Sequence, residues 1–211
     1  MKKEAWLKLL QQQRVIAVIR SGDLATGIQM ATAVSQGGLK LIEITWNSAQ
    51  PAQLVQELKT RLTDCVIGVG TILTPYQLEE AIASGAEFCF SPHYQPELLS
   101  MGITANLAMI PGALTPTEII NAWQNGASSV KVFPVAAVGG ITYIQSLQVP
   151  LAGIPLIPTG GVTLANAHTY LNSGAIAVGI ARDLFPPELI LTQSWQKIRA
   201  RTDHFCQSYL R

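Results

Sequence analysis

Residues 115–134 read TPTEIINAWQNGASSVKVFP and contain one complete helix-and-strand unit. Thr115 is of a residue type that caps helix N-termini, and Pro116 suits the first helical turn. Gly126 suits the left-handed position that follows a helix. The apolar run directly after this glycine is typical of a strand buried on both faces. The stretch therefore predicts a helix followed at once by a parallel strand.

The same unit recurs along the chain. A threonine stands eleven residues before a glycine again over 74–85 and over 163–174. A further helix is predicted after Asp23, and it ends at Gly37-Gly38. Short apolar runs predict eight strands, over 15–19, 39–45, 65–70, 86–90, 106–110, 128–133, 154–159 and 175–179.

Eight strands that alternate with helices predict an α/β fold, namely a single (β/α)8 TIM barrel. A chain of 211 residues is long enough for one well-filled core and short for two, so we expect one domain over residues 1–211. An extra N-terminal helix is predicted over 2–12, and a final helix over 187–209.

The composition predicts a weakly charged surface and limits the kinds of partner that the protein binds. Hydrophobic residues make up 48% of the chain and charged residues 13%, with a net charge of +1. Because an average soluble domain carries about 25% charged residues, we expect a homo-oligomer that covers uncharged surface. Lysines and arginines are scattered, so the pattern indicates neither nucleic acid nor a membrane surface as a partner.

The cysteines and the N-terminus indicate a cytoplasmic protein without disulfides. The three cysteines form no CxxC motif, and Cys65 and Cys89 stand in apolar runs that predict buried thiols. Residues 1–7 are too mixed for a signal peptide. No apolar stretch reaches the roughly 18 residues that span a bilayer.

Four strand residues stand five positions after a glycine that ends a helix: Glu43, Phe90, Lys131 and Gly179. They fall on alternate strands of the predicted barrel, and alternate strands supply the side chains of one interior layer. The second and sixth strands lie opposite each other. We therefore expect Glu43 and Lys131 to face each other across the barrel mouth, where Gly179 leaves space.

Lys131 is the candidate nucleophile. It stands in the apolar run Val130–Pro134, and burial disfavours the charged form of an amine. A neutral amine attacks a carbonyl carbon to form a Schiff base. A lysine that extends to solvent, or one held in a structural ion pair, would fit the same position.

Glu43 is the candidate general acid and base. It stands in the apolar run Leu41–Thr45, where burial raises the pKa of a carboxyl group. The alternative is a structural salt bridge to Lys131. Both descriptions can hold in the resting enzyme.

Two features at the predicted carboxyl ends of strands suit anions. Arg20 ends the first strand and could hold a carboxylate through two parallel hydrogen bonds, although an ordinary solvated arginine fits as well. Gly160-Gly161 follows the seventh strand just before a short predicted helix, and Arg182 follows the eighth. In such barrels, loops after these two strands usually bind phosphate.

The predicted third and fifth strands end in glycines, and a threonine hydroxyl group follows the third strand. Gly68 and Gly70 could let backbone approach a ligand, with Thr71 beside them, or they could simply form a tight turn. Gly112 ends the fifth strand in the same way. The histidines at 93, 168 and 204 have no metal-ligand spacing, so no metal site is expected.

Taken together, these motifs resemble the KDPG/KHG aldolase family, the 2-keto-3-deoxy-6-phosphogluconate and 4-hydroxy-2-oxoglutarate aldolases. The resemblance runs in order over residues 5–185. It rests on Glu43-Ile44-Thr45, Gly68-Val69-Gly70-Thr71, Ser91-Pro92, Ile110-Pro111-Gly112, Lys131-Val132-Phe133-Pro134 and Pro158-Thr159-Gly160-Gly161.

The resemblance implies a homotrimeric, cofactor-free class I aldolase of the Entner–Doudoroff type. Such an enzyme cleaves a phosphorylated 2-keto-3-deoxy acid to pyruvate and glyceraldehyde 3-phosphate, or 4-hydroxy-2-oxoglutarate to pyruvate and glyoxylate. It implies that Lys131 forms the Schiff base, that Glu43 transfers protons and that Thr71 contacts the pyruvyl part. The predicted substrate-binding set is Arg20, Thr71, Pro92, Pro111, Phe133, Thr159, Gly160, Gly161, Gly179 and Arg182.

Two positions depart from the family pattern. Many members carry an arginine four residues after the glutamate, where this chain has Asn47. Other members have arginine at the end of the first strand, as Arg20 is here, so the carboxylate site looks relocated. Many members also have Gly-Ser in the eighth-strand phosphate loop, where this chain has Ala181-Arg182. The second difference leaves the preferred aldehyde half open.

Two other functions fit parts of the pattern. A phosphosugar isomerase or epimerase on a similar barrel would use Glu43 as a base without a covalent adduct. A barrel that only binds anionic metabolites would need no buried lysine and glutamate. Borohydride trapping with pyruvate separates the aldolase from both alternatives.

Overall fold

The structure, a computed structural model, describes residues 1–209, so the last two residues of the predicted domain lie outside the described range. Helices and short strands alternate along it. The strands are β1 (Val15–Ile19), β2 (Leu41–Thr45), β3 (Val66–Gly70), β4 (Phe88–Phe90), β5 (Ala108–Ile110), β6 (Gly112–Ala113), β7 (Val130–Val132), β8 (Leu156–Pro158) and β9 (Val178–Ile180).

Ten α-helices precede, connect or follow these strands within the described residues. They are α1 (Lys3–Gln13), α2 (Leu24–Gln36), α3 (Pro51–Arg61), α4 (Pro75–Ala83), α5 (Pro96–Thr104), α6 (Pro116–Gln124), α7 (Ile141–Gln148), α8 (Ala167–Asn172), α9 (Pro187–Leu191) and α10 (Trp195–Tyr209). A 3-10 turn over Val135–Val138 precedes α7.

All strand pairs are parallel and form two sheets. The larger has the order β5-β4-β3-β2-β1-β9, and the smaller has the order β6-β7-β8. Only Pro111 separates β5 from β6, and an isolated bridge between Thr159 and Gly179 connects the end of β8 to β9. The predicted α/β fold with a parallel sheet is thus confirmed, and the carboxyl ends of the strands meet on one side.

The threonine and glycine act as predicted in two of the three units, whereas Thr163 lies before the N-cap residue of α8, Asn166. Thr74 and Thr115 accept hydrogen bonds from the backbone N–H groups of Gln77 and Glu118. Gly85 and Gly126 have positive φ angles, of 88° and 99°. The residue after each glycine donates back into the preceding helix, as Ala127 does to the Ala122 carbonyl. These contacts end the helix and turn the chain directly into the next strand.

Several predicted boundaries were wrong for identifiable reasons. Most strands begin one to three residues later than predicted, because the first residues after the glycine bond to the helix and not to a neighbouring strand. The fifth predicted strand continues beyond Pro111, whose lack of an N–H interrupts the ladder. The predicted final helix is two helices, because Gln193 adopts a left-handed φ of 50°.

The buried residues form an outer and an inner cluster. The outer cluster lies between the strands and the helices. The inner cluster lies inside the curved strands and contains Ile16, Phe88, Phe90 and Ile157 together with Trp6 of α1. The extra N-terminal helix predicted from the sequence therefore contributes a side chain to the interior. Within residues 1–209, no helix is long and apolar enough to cross a membrane.

Candidate active site

Lys131 lies in the middle of β7 and points into the space enclosed by the strands. Only 6% of its surface is exposed. Its Nζ atom is 4.8 Å from the centre of the Phe133 ring and 5.6 Å from the centre of the Phe90 ring. Aromatic faces attract a cation and exclude water from an amine. The structure thus places one amine in an enclosed, mostly apolar chamber.

Glu43 lies in β2 and is 1% exposed. Its Oε1 atom is buried and has no hydrogen-bond partner. Burial raises the pKa of this carboxyl group, while the positive charges of Lys131 and Arg20 oppose the increase. No ion pair within 4 Å joins Glu43 to Lys131. The structure therefore does not contain the tight salt bridge that was the alternative role for Glu43.

Gly70 provides the space for this carboxyl group. A methyl group added at Gly70 would lie 1.7 Å from Glu43 Oε1, and one added at Gly68 would lie 2.3 Å from the Phe88 ring. Close approach of a ligand to the backbone of these glycines stays a prediction. They accommodate side chains of the neighbouring strands, and strand register determines which side chains those are.

The space next to Gly179 is also filled by a side chain. A methyl group there would lie 2.6 Å from Thr159 Oγ1. This hydroxyl oxygen is buried and, like Glu43 Oε1, has no hydrogen-bond partner. Since an unsatisfied buried polar atom costs free energy, Thr159 is available to a ligand that enters from the carboxyl ends of the strands.

Arg20 and Asn47, the two residues of the relocated carboxylate site, meet in space. Arg20 Nε donates a hydrogen bond of 3.1 Å to Asn47 Oδ1. Arg20 is exposed at the end of β1, and its charge reaches Glu43. One nitrogen of the guanidinium is fixed by Asn47, which leaves the others free for a carboxylate.

Thr71 and Pro92 shape the same end of the strands. Thr71 has a φ of 61°, a conformation that β-branched residues rarely adopt. A methyl group at Gly112 would lie 2.4 Å from the Pro92 carbonyl, so the Pro92 backbone passes directly over β6. Pro111 is buried, and Phe133 is half-buried beside Lys131. His93 is exposed.

The loops after β8 and β9 enclose a cavity of about 650 Å³. Gly160, Gly161, Gly179 and Arg182, four residues of the predicted substrate-binding set, line it. The glycine pair does not, however, stand at a helix N-terminus, because α8 begins only at Ala167. Asp183 and Arg201 also line this cavity, together with Glu188. Arg201 was not among the predicted site residues, since it belongs to a helix that follows the last strand.

A second cavity of about 520 Å³ lies between α2 and α9. Arg20 and Arg182 both line it, so the two arginines flank the same opening. Seven predicted site residues line neither cavity: Glu43, Thr71, Pro92, Pro111, Lys131, Phe133 and Thr159. Among the described residues, no group of three or more His, Cys, Asp or Glu side chains could hold a metal ion.

The strands carry a buried lysine and a buried carboxyl group, with an exposed arginine and a glycine-lined cavity nearby. This arrangement suits an α/β enzyme that uses an amine nucleophile. A family model described as KDPG and KHG aldolase matches residues 7–201. The chain therefore belongs to the KDPG and KHG aldolase family.

Individual relatives agree with this assignment. The KHG/KDPG aldolase of Escherichia coli is 31% identical over 157 residues, which is 74% of each chain. The 2-dehydro-3-deoxy-phosphogluconate aldolase of Haemophilus influenzae is 30% identical over 192 residues, which is 91% of each chain. The fold is similar to a crystal structure of KDPG aldolase from Legionella pneumophila with pyruvate captured as a covalent carbinolamine intermediate. The TM-score is 0.87 at 28% identity, over 94% of this chain and 97% of that chain.

Proposed function

We propose that this chain is a class I aldolase that cleaves a 2-keto-3-deoxy acid to pyruvate and an aldehyde. The observation that carries the proposal is the position of Lys131, buried between Phe90 and Phe133 and within electrostatic reach of the carboxyl group of Glu43. The capture of pyruvate as a covalent carbinolamine in the Legionella enzyme supports the same chemistry here.

The first half of the reaction forms the Schiff base. The neutral amine of Lys131 adds to C2 of the keto acid and gives a carbinolamine. Glu43, whose pKa is raised by burial, donates its proton to the C2 hydroxyl group, which leaves as water. The resulting iminium can accept an electron pair from the adjacent C3–C4 bond.

The second half breaks that bond and restores the enzyme. Glu43 accepts the proton of the C4 hydroxyl group, the C3–C4 electron pair moves into the iminium, and the aldehyde leaves. Glu43 then returns the proton to C3 of the enamine, which becomes the iminium of pyruvate. Water hydrolyses this iminium to pyruvate and neutral Lys131, and the proton that this step releases returns to Glu43. Over one cycle Glu43 therefore donates two protons and accepts two.

The remaining side chains position the substrate in this proposal. Arg20, held by Asn47, binds the C1 carboxylate, and Thr71 and Thr159 donate hydrogen bonds to the pyruvyl and hydroxyl parts. Pro92, Pro111 and Phe133 form the apolar walls. Gly160, Gly161, Gly179 and Arg182 surround the distal phosphate in the 650 Å³ cavity. A phosphorylated substrate is therefore the preferred class.

We also propose that the two sheets are parts of one closed (β/α)8 barrel over residues 1–211. The single proline between β5 and β6 and the bridge between Thr159 and Gly179 support closure. A homotrimer is the proposed assembly, which sedimentation equilibrium would test.

Reduction with borohydride in the presence of pyruvate tests the covalent step. The expected result is one added pyruvate-derived mass on the peptide that contains Lys131, and Lys131→Arg should abolish both the adduct and cleavage because guanidinium stays protonated. Lys59→Arg, on the surface in a pair with Glu87, is the matched control and should keep both. Labelling of another lysine would contradict the assignment, and the absence of both the adduct and cleavage would favour the isomerase or epimerase alternative.

A further inference from the structure

The last helix contributes a cation to the cavity that the proposed function gives to phosphate. Arg201 lies in α10 and lines the same cavity as Gly160, Gly161 and Arg182. Its side chain is 44% exposed, so the guanidinium is accessible from the cavity. Two cations thus approach the glycine pair from two different elements.

Arg201 is held by one hydrogen bond and one long ion pair, both to Asp183, and these contacts leave most of its N–H donors unused. Its Nη2 atom donates a hydrogen bond of 3.3 Å to the backbone carbonyl of Asp183. The carboxylate of Asp183 is 3.9 Å away at its Oδ1 atom, which is beyond hydrogen-bond distance. A guanidinium has five N–H donors, so several donors of Arg201 remain free.

The carboxylate of Asp183 is bonded to another group. Its Oδ2 atom accepts a hydrogen bond of 2.7 Å from the backbone N–H of Leu164. Asp183 therefore fixes the turn after Gly161 with its side chain and anchors Arg201 with its carbonyl. The loop after β9, the turn after β8 and α10 are joined at this one residue.

The balance of charges in the cavity shows why two arginines matter. Its lining contains two carboxylates, Asp183 and Glu188, and two cations, Arg182 and Arg201. With one cation alone, the two carboxylates would give the lining a net negative charge and repel a phosphate dianion. With both, the lining is neutral, and the free donors of the arginines and the glycine N–H groups decide binding.

We propose that Arg201 is a specificity-determining residue that binds the distal phosphate of the substrate, with Asp183 as its positioning residue. This inference rests on the proposed function, because the phosphate belongs to the aldehyde half of the keto acid. Arg201 contributes to the discrimination between phosphorylated and unphosphorylated substrates and takes no part in Schiff-base formation.

Kinetics with a substrate pair test this role. Arg201→Ala should raise KM for 2-keto-3-deoxy-6-phosphogluconate about 10- to 100-fold, the range for a lost charge-assisted hydrogen bond. Its KM for 4-hydroxy-2-oxoglutarate and its borohydride adduct with pyruvate should change less than about twofold. Arg201→Lys, which keeps the charge but loses the fork of donors, should fall between Arg201→Ala and wild type.

Arg199→Ala is the matched control. Arg199 lies on the same helix, is exposed, and contacts Gln36 at 3.5 Å without lining the cavity. Arg199→Ala removes one positive charge from the same region. Because Arg199 does not line the cavity, both KM values should stay unchanged. An equal increase in both variants would show a general charge effect and would overturn a specific role for Arg201.

Binding of inorganic phosphate gives a second measurement that needs no turnover. Phosphate should raise the thermal unfolding temperature of wild type and of Arg199→Ala, and this increase should disappear in Arg201→Ala. An unchanged increase in Arg201→Ala would overturn the inference. If wild type forms no adduct with pyruvate and cleaves neither keto acid, the proposed function fails, whereas the phosphate measurement still reports on Arg201.

Discussion

At the scale of single residues, the surroundings of the Glu43 carboxyl group determine its protonation state. Its carboxyl group is buried, has one unpartnered oxygen, and fits against the bare backbone of Gly70. A buried carboxyl group without hydrogen bonds favours its protonated form. This environment suits a residue that must donate a proton first and accept one later.

Glu43→Gln should reduce kcat by about 10²- to 10⁴-fold, which is the usual contribution of general acid–base catalysis. The amide has nearly the same shape but cannot exchange a proton, so KM should change little. Steady-state kinetics with 4-hydroxy-2-oxoglutarate measure kcat and KM separately. A near-normal kcat would leave Glu43 with a structural role only.

The raised pKa of Glu43 also predicts a pH dependence of stability. The protonated carboxyl group is the form that the folded protein accommodates, so its contribution is complete below the ordinary pKa of glutamate. It is lost as pH rises towards the higher pKa of the folded state. Urea unfolding from pH 4 to pH 8 should show wild type losing stability relative to Glu43→Gln as pH increases. A constant difference would mean that Glu43 titrates normally.

Gly70→Ala should remove activity by displacing Glu43. The added methyl group would lie 1.7 Å from Glu43 Oε1, so the carboxyl group must move. We expect kcat to fall at least as far as in Glu43→Gln, with a loss of stability of about 1–3 kcal/mol from overpacking. Gly22→Ala is the control, since nothing lies within 4 Å of its added methyl group. Full activity in Gly70→Ala would contradict the tight packing at this glycine.

At the scale of elements, the sequence predicted best what is determined locally. The threonine cap and the C-terminal glycine act within one helix, so their spacing identified the helix-and-strand unit over 115–134. Positions that depend on contacts between strands were less accessible. The sequence alone could not show that Gly70 accommodates Glu43, or that Asn47 holds Arg20, because both contacts depend on the register and the twist of neighbouring strands.

The residues after the last strand were the least predictable. Gln193 breaks the final helix with a left-handed backbone conformation that glutamine does not signal. The contact between Asp183 and Arg201 joins a loop to a helix that packs back against it. Such contacts follow from the tertiary structure and have no periodic pattern in the sequence.

The capping box of α6 gives a test at this scale. Thr115 accepts a hydrogen bond from the Glu118 N–H, and Glu118 accepts one from the Thr115 N–H. Thr115→Ala should lower the free energy of unfolding by about 1 kcal/mol and leave kcat and KM unchanged. Urea denaturation measures the first and steady-state kinetics the second. Thr117→Ala, exposed in the same turn, should have a smaller effect, and equal losses would rule out a specific cap.

At the scale of the whole molecule, an aromatic column connects the N-terminal helix to the nucleophile. Trp6 of α1 packs at 4.9 Å from Phe88, and Phe88 packs at 5.8 Å from Phe90. The Phe90 ring lies 5.6 Å from Lys131 Nζ. Trp6 is fully buried, and its indole N–H donates to Ser129 Oγ at 2.9 Å. The helix thus closes one end of the proposed barrel and supports the chamber at the other.

Trp6→Ala should therefore affect both stability and turnover. Removing a buried aromatic side chain costs about 3–5 kcal/mol, a large part of the 5–15 kcal/mol typical of a domain. Because Phe88 and Phe90 lose their support, kcat should also fall when measured well below the unfolding temperature.

Ile198→Ala separates these two effects. Ile198 is fully buried in α10 and belongs to the outer cluster, away from the column. It should destabilise the protein by a comparable amount, about 2–5 kcal/mol, while kcat stays normal. Trp6→Phe, which keeps an aromatic ring and loses the hydrogen bond to Ser129, should be intermediate in stability and near normal in kcat. If Trp6→Ala loses stability but keeps its kcat, the column supports the fold alone and Lys131 is positioned by β7 without it.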